Sequence, residues 1–395
     1  NLGLVRVSYL LIFSPELTLQ ECGQITTDTF SSGPAGNINI DILDGVEVLG
    51  FQPSAEFLFS NISTATFSDG SAGNLQLSAS SLRVADGAQV GSATFGPGSG
   101  GNAVVNASDI VLDGVIPTTL TPASINAAAF RTGDAGRLEI STDNLRVLNG
   151  ARVGTSTVSL GDAGNTVIRA GQSVEVAGAF PGARNPSLID SSANLLDPSL
   201  VGTLEVPFPT EGDAGSVEIY TPTLVVRDGG LITVQNEGPG DAGVLLISAE
   251  DIQLGSSSSI SAATNGGSGG NINLMSDSLL VGIDSQITTS ATGQGEGGNI
   301  SIDSDAISLL QDSSISANAE LGFGGQVIIT TDALLQSPAS SISATSEVAR
   351  DGVVEVQAPD EAPRAESEIE PPTVEVPQVA AVCAQGGRQR GEFTV

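Results

Sequence analysis

Four aspartates, Asp134, Asp162, Asp213 and Asp241, each stand two residues before a recurring glycine. Carboxylates repeated at one register can share a hard cation between stacked turns. Beside an Arg or Lys base they suit a polysaccharide lyase, and as a close pair they suit a glycoside hydrolase. Here the register works against both. Asp162 and Asp213 are separated by a long insertion, and later repeats carry Ser268, Glu296 or Phe323 at the same place. The chain has no His, and its 13 basic residues are all Arg, scattered along the sequence. The aspartates therefore read as turn formers, and no catalytic, cofactor-binding or metal-ligating residue is assigned.

The charge balance narrows the partners. Asp and Glu number 45, giving a net charge of −32, which disfavours nucleic acid and anionic membrane surfaces as direct partners. A solvated, association-resistant exterior explains the acidity equally well. Cys22 and Cys383 lie outside the regular part of the sequence, so no disulfide framework or thiolate site organises the fold. They can pair only if the chain folds back between them; an intermolecular bond and two free thiols are the alternatives. The apolar run from Tyr9 to Phe13 is too short to cross a bilayer, and the chain reads as a fragment without its export signal.

What must position any such residue is a repeat. Anchor glycines recur at Gly36, Gly73, Gly101, Gly136, Gly164, Gly215, Gly243, Gly270, Gly298, Gly325 and Gly352, most of them 27 or 28 residues apart. Two and four residues past nearly every anchor the chain is apolar, as at Leu138 and Ile140 or Ile300 and Ile302. A second pair follows nine and eleven residues past it, as at Leu145 and Val147, and a third site lies seventeen past it, as at Val153 and Ile315. Period-two alternation marks strands with one buried face. Three short strands cannot bury that face alone, but stacked coils share one aliphatic core. The expected fold is all-β, a right-handed parallel β-helix of three-strand coils of about 27–28 residues. About eleven coils at about 4.8 Å each would make a rod of roughly 50 Å. An antiparallel sandwich or propeller is the rival, and the constant offsets favour the solenoid.

Other residues recur in register. Phe30, Phe67, Phe95 and Phe130 each precede an anchor by six residues, with Val158 next in line. They should form one column, either stacked inside the helix or lining a sugar-binding strip, and internal stacking is the favoured reading. Asn37, Asn74, Asn102, Asn165, Asn271 and Asn299 directly follow anchors and suit an amide ladder that satisfies turn backbone. Three long spacings mark insertions, at Phe51 to Phe59, Pro117 to Pro122 and roughly Phe180 to Thr210. The first two fall between the second and third strands, and all three can project from one side. Loops on a rigid scaffold are where recognition is placed; neutral insertion is the alternative.

The organisation is thus an irregular segment over 1–23, a repeat domain over 24–357, and a Pro/Glu-rich disordered linker with a short tail over 358–395. Gly-Asp-Ala-Gly-Asn at 161–165, Asn144-Leu145-Arg146-Val147-Leu148-Asn149-Gly150 and Gly297-Gly298-Asn299-Ile300-Ser301-Ile302 resemble the repeats of cyanobacterial filamentous-haemagglutinin-like exoproteins, the large partners of two-partner secretion systems. The likeness runs from about Ile25 to Val356, and the Cys383 to Val395 tail looks like the start of that family's ending. The resemblance implies export through an outer-membrane pore partner and a secreted or surface rod used in adhesion. It supplies no catalytic residues, and the family's amino-terminal secretion domain is not recognisable in this chain. The expected function is an adhesin-like, non-catalytic rod with surface glycans or other cells as partners and no membrane insertion. A polysaccharide-active enzyme on the same fold is the alternative.

Overall fold

The computed structural model describes residues 9–52, 55–195 and 210–358. Residues Asn1–Asp360 form one compact unit and Glu361–Val395 a second; the linker and tail expected over 358–395, with Cys383, fall almost wholly outside the described residues.

The first unit is all-β, a parallel β-helix. Its coil strands join a sheet of fifteen and a sheet of eleven, hydrogen-bonded in parallel to the equivalent strands one coil away, while Phe51–Gln52 and Ala55–Phe59 pair antiparallel in a sheet of their own. Ile140 faces Val105 on one side and Ile168 on the other, and Ile315 faces Ile287 and Ile342. Each apolar residue thereby stacks on its counterpart, and one continuous core runs from Ile38 to Ala344.

The expected first and second strands of a coil run together in most coils. Leu75–Ala85, Ala103–Asp113 and Asn299–Leu309 are single strands of 11 residues. Their inward residues change phase midway, from Ala103 and Val105 to Ile110 and Leu112, across the adjacent exposed pair Ser108 and Asp109. Two outward side chains in succession turn the strand around the core without breaking the ladder. The third expected strand is separate, as at Gln89–Thr94 and Arg152–Thr157.

The amino-terminal segment corrects the sequence reading. Tyr9–Ser14 pairs with Asn37–Ile42, and Leu17–Gln20 pairs with Gly45–Leu49. The helix therefore begins within the segment read as irregular to residue 23. No anchor glycine precedes these strands, so counting from anchors missed them, although Leu10, Ile12, Leu17 and Leu19 pack on the core.

The anchor glycines exist because coils touch there backbone to backbone. A Cβ on Gly101 would lie 1.7 Å from the carbonyl oxygen of Gly73, and one on Gly243 1.7 Å from that of Gly215. Hydroxyls within the third strand close this corner: Thr27, Thr155 and Thr289 donate to the carbonyls of Gly36, Gly164 and Gly298.

Candidate functional site

The expected polar columns are present, and their bonds show what they do. Asn74 Oδ1 accepts the backbone N–H of Asn102 at 2.9 Å, and Asn102 Oδ1 accepts that of Arg137 at 2.9 Å. The ladder is thus mainly side chain to backbone; one amide-to-amide bond joins Asn299 to Asn271. The aspartates follow the same rule. Oδ1 of Asp134, Asp162 and Asp213 accepts the N–H of the next aspartate at 2.9–3.0 Å, and Asp241 accepts that of Ser268 at 2.7 Å. Each carboxylate satisfies a corner amide that the ladder leaves over. Among the described residues no three acidic or cysteine side chains are grouped as metal ligands would be.

The phenylalanines stack as one column, with centroids 4.6–4.9 Å apart and rings within 7° of parallel. The column lies outside the helix, which overturns the expectation of internal stacking. Phe30 is 73% and Phe67 43% exposed, while Phe95 and Phe130 are half-buried. Each directly follows the third strand, where the chain leaves the core at a corner, so constant register gave the stack but not its side. The rings cover one another's faces and turn their edges to water. That arrangement is poor for sugar rings, which pack on aromatic faces.

The insertions assemble a site. Three begin with a glycine in the left-handed region, Gly50, Gly114 and Gly178, and each closes by a backbone bond back to that glycine, from Ser60, Ala123 and Ser187. All three lie between the second and third strands. The longest insertion, read as one piece from Phe180 to Thr210, is two: residues 178–187 occupy this corner, and the strand Leu188–Ala193 intervenes before the chain leaves again. The second piece belongs to the opposite end of that strand, and 196–209 lie outside the described residues.

Insertions alternate with plain corners. Asp86-Gly87-Ala88 separates the first from the second, and Asn149-Gly150-Ala151 separates the second from the third. Coils are spaced about 4.8 Å apart while a packed layer of side chains needs about 10 Å, so a doubled-back loop spreads over its neighbour. Over the first plain corner the space is filled: Ile116 is fully buried and lies where a Cβ of Gly87 would be, 2.1 Å from its Cγ1. Over the second a cavity of about 170 Å³ remains, lined by Leu120 and Pro122 from one loop, Ala183 to Pro186 from the other, and Gly150, Arg152 and Leu188 beneath. Leu120 is held at a φ of 58°, a conformation costly for a leucine.

The electrostatics of this notch are paired. Arg152 grips Asp190 in a fork, Nε to Oδ1 at 2.8 Å and Nη2 to Oδ2 at 2.6 Å. Asp190 is fully buried, and desolvation pushes its carboxyl above the usual range against the opposing pull of Arg152. Arg184 donates to both carboxylate oxygens of Glu237 at 2.9 Å and to the Leu195 carbonyl at 3.1 Å. Sequence reasoning treated these arginines as scattered and missed the site. The available signal was the corner residue: a left-handed Asp or Asn at plain corners such as Asp86, Asn149 and Asp228, against a lone glycine where an insertion opens. A second concavity, of about 380 Å³, lines the outer bend of the long strands with Ser78, Asn106, Ser141 and Asp143 and is widely open.

No family model, curated protein or solved structure matches the chain.

Proposed function

We propose that this chain is a non-catalytic, adhesin-like rod, displayed at the outer cell surface or secreted, that recognises its target through the insertion corner. The observation that carries the reading is the clustering of three loop insertions at one corner of an otherwise coil-by-coil registered scaffold. A solenoid stabilised by neighbour contacts tolerates variation on one edge without loss of fold, and loops held by a rigid frame are where specificity is placed. Export through an outer-membrane pore partner belongs to the same proposal and rests on the resemblance of the repeats. Surface glycans or other cells are the proposed partners.

The geometry supports this reading over the polysaccharide-active enzyme. A hydrolase needs two carboxyl groups flanking an open site. Each column aspartate accepts a corner amide through Oδ1, and Asp190, enclosed under the loops, gives both oxygens to Arg152.

The test compares the full chain with one whose three corner insertions are replaced by plain Asn-Gly-Ala corners. Retention on glycan-coated surfaces should fall at least tenfold while β circular dichroism and melting are kept. Equal retention by both proteins would refute the reading, as would new reducing ends or unsaturated products released from neutral or acidic polysaccharides. Protease shaving of intact source cells should remove the protein from the surface if it is displayed there.

A further inference from the structure

We infer that the notch between the second and third insertions is a binding site for one neutral saccharide residue. The inference rests on the adhesin reading and gives it a place and a ligand class. Three features of the notch lead there. Its walls, Leu120, Pro122, Pro186 and Leu188, are apolar and offer packing for the C–H face of a ring. Its polar lining residues are Asn185, whose side chain can donate and accept, Arg184 and Arg152. Only Nε and Nη2 of Arg152 are taken by Asp190, which leaves Nη1 as a donor for a hydroxyl. A few placed polar groups among apolar walls are the ordinary make-up of a small-molecule site.

Charge selects the neutral class. Asp190 and Glu237 already compensate Arg152 and Arg184, so the notch offers an acid no uncompensated cation. The chain carries a net charge of −32, an overall field that disfavours uronates and sulfated sugars. At about 170 Å³ the space is small beside the roughly 300–1,000 Å³ of drug-sized sites, so it takes a single ring, such as the end of a glycan.

The site is pre-formed. Phe180 of the third insertion packs where a Cβ of Gly150 would lie, 3.3 Å from its own Cβ, and Gly150 donates its N–H to Ser187 Oγ at 2.9 Å. The fork on Asp190 fixes the guanidinium plane, so a bound ring pays little to order its partners.

Saturation-transfer NMR and shift titration of the full chain with methyl glucoside, methyl galactoside, methyl mannoside and galacturonate test the proposal. At least one neutral glycoside should bind saturably in about the millimolar range, near −4 kcal/mol. Asn185→Ala should weaken it at least tenfold, and Ala183→Trp, which fills the notch, should abolish it, both with unchanged circular dichroism. Arg152 is left in place because it also holds Asp190. If Ala183→Trp fails to fold, Asn185→Ala decides. Absence of saturable binding, binding unaffected by the variants, or preference for galacturonate overturns the proposal. If Ala183→Trp adheres to glycan surfaces like the unmodified chain, the notch falls and the adhesin reading stands. If the chain binds a glycoside but no surface, the adhesin reading falls and the notch stands.

Discussion

One surface column divides the helix into two regions. At one register position after the third strand of successive coils stand Phe30, Phe67, Phe95, Phe130 and Val158, and then Asn194, Glu237, Asn265, Thr292, Glu320 and Glu347. The backbone is the same throughout: Phe95 donates its N–H to Thr66 at 2.7 Å, and Glu320 donates its own to Ala291 at 2.9 Å. The side chains solve the position differently. Phenylalanines stack ring on ring, whereas Glu237 binds Arg184 and the Leu195 N–H, and Glu320 accepts the N–H of Gly293. The amino-terminal region also holds every insertion at the second corner, while from Gly215 onward the described corners are plain. Beneath both regions the interior is one aliphatic ladder. The fold is specified from inside, and the corners are free to differ.

The comparison is broken most severely at the core. Ile140→Asp and Ile300→Asp each bury an unpaired charge and should cost about 4–5 kcal/mol, read by urea denaturation. Costs differing by more than about 1 kcal/mol between the two regions would show that the interiors are not equivalent.

Arg152→Gln comes next, a change with no counterpart beyond Gly215. It strands Asp190 and should cost about 3–4 kcal/mol at neutral pH. The folded carboxyl already titrates above its unfolded value, so its contribution is fully present below the unfolded pKa and is lost as pH rises through the folded one. Removing Arg152 raises the folded value further. The variant's deficit should therefore shrink as pH falls from 7 toward 4, and a deficit constant across that range would contradict the burial of Asp190.

Gly101→Ala and Gly243→Ala lie one in each region, at the same 1.7 Å approach. Each should cost about 1–3 kcal/mol by overpacking, and thermal unfolding should place the two together.

Smallest is the column itself. Phe95→Ala loses two ring contacts and should cost about 1–2 kcal/mol, while Thr292→Ala at the equivalent polar site should stay within about 0.5 kcal/mol. Equal costs would mean that the exposed stack adds nothing beyond a solvated corner.

The residues that stack coil on coil were legible in the sequence because each repeats its own environment. Leu138, Ile140, Leu145, Val147 and Val153 are buried as period-two counting requires, and the asparagines form the ladder their register implied, while the aspartates, read as turn formers, bond along the stack as well. A solenoid makes each position's neighbour its own equivalent, so one-dimensional periodicity carries three-dimensional contact. Periodicity says nothing about what has no equivalent. The side of the helix on which the phenylalanines stack depends on where a coil turns. The division of the 178–210 stretch between two corners depends on which six residues, Leu188–Ala193, complete the third strand. The notch depends on two loops meeting across a coil that has none, bringing Arg152 and Asp190 together 38 residues apart. The sequence by itself determined the coil, its core and the corner of the first two insertions, through repetition; only the tertiary structure decided how the longest insertion divides and the cavity between the loops, because those contacts form once and leave no period to read.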